Sequence, residues 1–205
     1  MILNLGCIVE GHAEVAAVPE LVRRFQQTLD PGIGLVIRPP TRIGKGKLIT
    51  DGEIERQVER LARQLTPPRA ILILIDADKD CPAELGPKLL ARAKAARPDV
   101  STAVVLAKCE YEAWLLAAIE SLKGKRGLAE DLAPVEDPEM IRGAKELLGR
   151  CMVGSRKYAE TVDQPALTAL FDMELARRHS PSFDKCWREI ERLFAAAQEQ
   201  PENGP

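Results

Sequence analysis

Residues 70–75 read AILILI and run without a break into DADKD. Six consecutive apolar residues leave no polar face. A strand made of them is buried on both sides, as in the middle of a parallel sheet covered by helices. The abrupt change to acids marks the carboxyl end of that strand, and in an open parallel sheet ligands bind at the carboxyl ends. One segment thus predicts both an architecture and a place for chemistry.

The first half of the chain repeats the pattern. Residues 2–9 (ILNLGCIV), 34–38 (GLVIR) and 102–107 (TAVVLA) read as three more short strands. Helical spacing fills the gaps, with Val15, Val18, Val22, Phe25 and Leu29 on one face of a helix over 14–29. Thr50 and Glu53 have the spacing of a capping box that opens a helix carrying Ile54, Val58, Leu61 and Leu65, and Pro67-Pro68 ends it. A further helix is expected over 83–97, with Leu85, Leu89 and Ala93 inward. The stretch PPTRIGKGKL, before the Thr50 helix, reads as loop. Four strands separated by helices predict a parallel α/β sheet with right-handed crossovers.

CEYEAWLLAAIESL (109–122) returns to helical spacing, and beyond residue 122 the strand signal stops. Helices are expected over 138–150, 163–178 and 181–198. Ser180 is placed to cap the last one, whose inner face is Phe183, Trp187, Ile190 and Phe194. The expected organisation is an α/β core over residues 1–122 and a helical extension over 123–205 packed on it.

Composition narrows the function. Lys+Arg total 29 against 31 Asp+Glu, a net charge of −2, so binding to nucleic acid by bulk positive charge is excluded. Aromatics are 4%, too few for a base-stacking platform. Any hold on phosphates must come from a local patch or from metal ions. The five cysteines form no CxxC pair, and the first residues lack a basic start and a small-residue cleavage site. We therefore expect a reducing cytoplasm, free thiols and no membrane association.

Two predicted strands finish in acids. The first runs into Glu10, with Glu14 one turn on, and the third into Asp76, Asp78 and Asp80. Crossover topology brings both ends to one edge of the sheet, where so many carboxylates repel one another unless cations neutralise them. Oxygen ligands without His or Cys suit Mg²⁺ or Mn²⁺. Asp80 is equally placed to cap the helix beginning near Pro82, and Glu14 to favour its own helix N-terminus. Arg38, Arg42, Lys45 and Lys47 make the Gly-rich loop basic enough to touch a polyanion, although it lacks the GxxxxGK[ST] spacing of a nucleotide loop.

The order of these motifs resembles the Toprim domain of topoisomerases, DnaG-type primases and OLD-family nucleases: IVEGHAE (8–14), then LIDADKD (74–80). Three later segments, CEYEAWLLA (109–117), KYAETVDQPALT (157–168) and HSPSFDKCW (179–187), are similar to the Toprim-like bacterial family called domain of unknown function 4276. The likeness spans nearly the whole chain. It implies a Toprim-like, Rossmann-like sheet of about four strands and metal-assisted chemistry on phosphodiesters. It implies catalytic roles for Glu10, Asp76 and Asp78, with Asp80 as a third Asp ligand to Mg²⁺ or Mn²⁺. Glu110 and Glu112 would join the acidic edge or merely open a helix. Lys145 and Lys157, with Arg42, Lys45 and Lys47, are candidates to hold phosphate. The expected function is a Mg²⁺-dependent nuclease acting on nucleic acid, in phage defence or DNA repair, beside a separate ATPase. The alternative is a non-catalytic module that binds or regulates an ATPase or nucleic-acid partner.

Overall fold

The structure, a computed structural model, describes residues 1–200. Its spine is a parallel sheet ordered β2-β1-β4-β5, built from β1 (Ile2–Val9), β2 (Gly34–Ile37), β4 (Arg69–Asp76) and β5 (Ser101–Ala107). A fifth strand, β3 (Thr41–Arg42), pairs with the end of β1 through Ile8 and Val9. The sequence pattern alone places these two residues in a loop. The pair is too short to show a period, and the backbone bond from Ile43 N–H to the Val9 carbonyl (2.9 Å) extends it.

The unbroken apolar run of β4 is explained by its neighbours. Leu72 and Leu74 enter one core with Leu3, Leu5, Cys7, Val9 and Val105. Ile71, Ile73 and Ile75 enter a second core with Ile8, Val104 and Leu106. Alternate side chains thus serve opposite faces, and both faces are covered. Helices α3 (Glu53–Ala62) and α4 (Pro82–Ala96) line the second core. Helix α1 (Glu14–Leu29) and the C-terminal helices line the first.

Beyond the sheet the helices are shorter than the periodicity predicted. The segment after β5 gives α5 (Glu112–Ala117) and a 3₁₀ turn at Ile119–Leu122. The expected helix over 138–150 reduces to a 3₁₀ turn, Pro138–Met140, and α6 (Ala144–Arg150), with Gly143 between them at φ 77°. The expected helix over 163–178 is two, α7 (Glu160–Thr168) and α8 (Met173–His179). The short α2 (Lys45–Leu48) lies in the former loop. The capping box does not form. Gly52, at φ 78°, precedes α3, while the Thr50 hydroxyl donates back to the Lys47 carbonyl (2.7 Å) and the Glu53 carboxylate accepts from Gln57 (2.8 Å). The left-handed turn at residue 52 needs glycine and carries the Thr50 hydroxyl away from the helix end.

Helix α9 (Pro181–Gln198) matches its prediction: the Ser180 hydroxyl accepts from Phe183 N–H at 3.1 Å, and Phe183, Trp187, Ile190 and Phe194 are all buried. The scarce aromatics are pooled here. Phe183 lies 5.7 Å from Phe25, 5.2 Å from Trp114 and 5.5 Å from Phe171, joining α9 to α1 and α5. Among the described residues no helix is long and apolar enough to cross a membrane.

This cluster fixes the helical half to the sheet, so its central ring should dominate stability there. Phe183→Ala is expected to cost about 3–5 kcal/mol. Chemical denaturation measures it, and a loss below about 1 kcal/mol would show that the ring is not a keystone.

Candidate metal centre at the carboxyl edge of the sheet

The register sets the geometry. Val9 pairs with Leu74 and Asp76 with Ala107, so Glu10, just past Val9, comes out beside the end of β4. There four acids lie close enough for the charges of three of them to act on the fourth, Asp76. Asp76 ends β4, Glu10 follows β1, Glu14 opens α1 and Glu112 opens α5. Glu14 is 3% exposed and Glu112 fully buried. One oxygen of each carboxylate (Glu10 Oε2, Glu14 Oε2, Asp76 Oδ1 and Glu112 Oε2) is sealed from solvent without a hydrogen-bond partner. Buried carboxylate oxygens in that condition are costly and call for a cation or a proton.

The titration behaviour states the same conflict. Burial, then the charges of Glu14, Glu112 and Glu10, push the Asp76 carboxyl well above its ordinary range, against a smaller pull from Lys145. Burial lifts Glu14. Burial also lifts Glu112, to about 7, although Lys145, Tyr158 and Gln164 all oppose it. Tyr158 Oη–H donates to Glu112 Oε1 at 2.9 Å and Gln164 Nε2–H at 3.1 Å, which orients this carboxylate and leaves Oε2 free. Sequence reading missed Tyr158 and Gln164. Their only signal was that both lie in KYAETVDQPALT, a stretch that carries no chemistry by itself.

Gly11 is part of the device. A Cβ at this position would collide with the Glu14 carboxylate, which folds back over it. The glycine therefore gives room for the second glutamate of the EGHAE segment to reach the edge.

The remaining predicted residues separate into groups. Asp78 and Asp80 turn away from the orphan oxygens and pair with Lys45, whose ammonium bonds Asp78 Oδ2 and lies 3.2 Å from Asp80 Oδ2. Asp78 sits at φ 50°, a left-handed conformation that breaks the alternation it would otherwise share with Asp76. Asp80 is not a helix cap: Cys81 holds the N-cap position of α4 and no side chain bonds there. Glu110 stands apart from the four, its Oε2 accepting from the backbone N–H of Lys145 at 3.1 Å and so anchoring α6. Lys145 pairs with Glu160 at 3.2 Å. Burial works against its charge, but Glu112, Glu160 and Asp76 outweigh burial and raise its pKa. Arg42, Lys47 and Lys157 are exposed, and His12 is an exposed loop residue. Cys7 is a core residue whose thiol burial pushes up to about 12.

An all-oxygen donor set with unpartnered buried atoms fits a hard divalent cation such as Mg²⁺ or Mn²⁺. The cradle is not closed in advance: among the described residues no three His, Cys, Asp or Glu side chains form a ready-made metal site.

A family model described as domain of unknown function (DUF4276) matches residues 9–191. The chain belongs to the DUF4276 family. No curated protein and no solved structure matches it. In this DUF4276 protein every acid of the edge, together with Tyr158, Gln164, Lys45 and Lys145, lies inside the matched stretch.

The raised Glu112 carboxyl makes a prediction with a definite sign. Its folded value of about 7 lies above the ordinary 4.5, so between these values the folded chain holds more protons than the unfolded one. Stability of the metal-free protein must then fall as pH rises through that window, by up to about 3 kcal/mol from this group. Glu112→Gln should be stabilised relative to wild type at pH 8 but not at pH 5. Thermal melts at both pH values check this, and an equal difference at the two would remove the assignment.

Proposed function

We propose that this protein is a Toprim-type, Mg²⁺- or Mn²⁺-dependent nuclease that cleaves phosphodiesters of nucleic acid. The observation that carries the reading is the set of four orphaned carboxylate oxygens at the carboxyl edge of a parallel sheet. The likeness of IVEGHAE and LIDADKD to the Toprim motifs supports it, and so does the likeness of that domain to the one in OLD-family nucleases.

Glu10, Glu14, Asp76 and Glu112 would hold the cation. A divalent ion held there would supply Lewis-acid chemistry, lowering the pKa of a water and stabilising a leaving oxygen. In the metal-free protein Glu112 is lifted to about 7, so binding of the cation would release a proton from it near neutrality. Tyr158 and Gln164 fix the direction in which its free oxygen faces. Lys145, charged and electrostatically linked to Asp76 and Glu112, would hold the scissile phosphate against the acids. Lys47, Arg42 and Lys157 are exposed cations available to flanking phosphates. The sequence holds no GxxxxGK[ST] loop, in keeping with a separate ATPase partner in the cytoplasm, in phage defence or DNA repair.

The test is cleavage of a panel of supercoiled plasmid, linear duplex, single-stranded DNA and RNA, with and without Mn²⁺. Glu10→Gln and Asp76→Asn should each lower metal-dependent cleavage by roughly 10²–10⁴-fold while leaving the melting curve cooperative. Full cleavage by either folded variant would refute the reading. Wild-type protein that binds metal and nucleic acid without cutting would favour the non-catalytic module.

A further inference from the structure

The Asp-x-Asp-x-Asp run divides at Asp78, and what lies beyond the division is a lysine. Lys45 is only 9% exposed. Its ammonium has three N–H donors and meets three oxygens: the Ala77 carbonyl at 2.9 Å, Asp78 Oδ2, and Asp80 Oδ2 at 3.2 Å. Its backbone N–H donates to Glu10 Oε1 at 3.2 Å. One residue thus spans the ends of β1 and β4. Burial disfavours its charge, but the two aspartates more than compensate and raise its pKa, so the ammonium stays protonated.

Lys45 is also mechanically fixed. Its neighbours Ile43 and Leu48 are buried in the core shared with α3 and α4. Ile43 N–H is bonded to the Val9 carbonyl at 2.9 Å, which ties the segment to β1. Withdrawing the ammonium would leave two adjacent half-exposed carboxylates facing each other, the Ala77 carbonyl unpaired and the mostly buried Lys45 side chain without its three acceptors. An ion competing for Asp78 and Asp80 must displace the ammonium, whereas an ion at the four orphan oxygens displaces only protons from carboxyls that burial has raised.

We propose that Lys45 is the resident cation of the Asp78/Asp80 pair, so that this site takes a single divalent ion, at Glu10, Glu14, Asp76 and Glu112. This rests on the reading that the four acids bind a divalent ion, and it adds that the ammonium stands where a second metal would. Lys45 is a positioning residue: through Asp78 and Asp80 it holds the β4 turn, and through its backbone N–H it orients Glu10.

The experiment is calorimetric titration of Mn²⁺ alone into the full chain. Wild type should bind one ion per chain, and the Asp78→Asn, Asp80→Asn double variant should keep it. Lys45→Met should bind two, returning to one when combined with the double variant. Two ions in wild type, loss of binding in the double variant, one ion in a folded Lys45→Met, or no binding at all each overturn the proposal. A measurement on wild type guards against misfolding of Lys45→Met. Amine acetylation read by mass spectrometry should find Lys45 among the slowest lysines, with its rate unchanged by saturating Mn²⁺. Acceleration by Mn²⁺ means that the metal displaces the ammonium, which also overturns the proposal. The nuclease reading falls separately, on absence of cleavage, and one-ion binding without cleavage would leave the Lys45 assignment standing.

Discussion

Repulsion among four carboxylates is the constraint around which this molecule is arranged. Placing Glu10, Glu14, Asp76 and Glu112 at one sheet edge, each with an oxygen hidden from water, opposes folding unless the charge is met. The chain meets it only in part. Lys145 sits close enough to pull on Asp76 and Glu112, and Tyr158 and Gln164 satisfy one oxygen of Glu112. What remains is an excess of negative charge with unfilled acceptors. A fold that carries such a cost at a strand edge gains from it only if something positive arrives, and this is why the edge is read as a site.

The sheet makes the repulsion affordable by being rigid. β4 is buried on both faces, so Asp76 leaves the end of a strand that cannot shift its register without exposing one of two cores. The carboxylates therefore cannot relax apart by sliding the strands. The C-terminal helices add a second hold. Glu112 begins α5, whose Trp114 packs edge-on to Phe183, and the Trp114 indole N–H donates to Ser182 at 2.8 Å. Packing in the aromatic cluster thus fixes the helix that carries the most deeply buried acid.

Legibility in the sequence followed the range of the forces involved. The four long strands and the inner face of α9 were readable because burial writes a period into neighbouring residues. β3 was not, because two residues carry no period. The helices of the second half were predicted too long where Gly143 and the 169–172 turn interrupt a continuous pattern. At the site, Glu10 and Asp76 were visible from strand ends alone. Glu14 and Glu112 were named but unplaced, since only the fold decides whether a helix-opening acid faces water or an edge. Tyr158 and Gln164 reach Glu112 from 46 and 52 residues away, and no local pattern encodes a contact of that kind.

The division of the acidic run shows most clearly how backbone conformation can override spacing. Alternating aspartates after a strand would project from one face if the strand continued, and so they read as a joint ligand set. The chain instead turns left-handed at Asp78, while its N–H stays bonded to the Cys109 carbonyl at 3.0 Å, so the turn remains laced to the end of β5. Aspartate tolerates that conformation better than most residues, which makes it a suitable residue for the turn as well as a charge. The same short motif therefore supplies an inward acid for the edge and two outward acids for the lysine that opens α2. The partners follow the division: the inner group keeps buried oxygens with no partner, and the outer pair is half neutralised by Lys45 and open to solvent. A cation from solution should be drawn to the first and find little at the second.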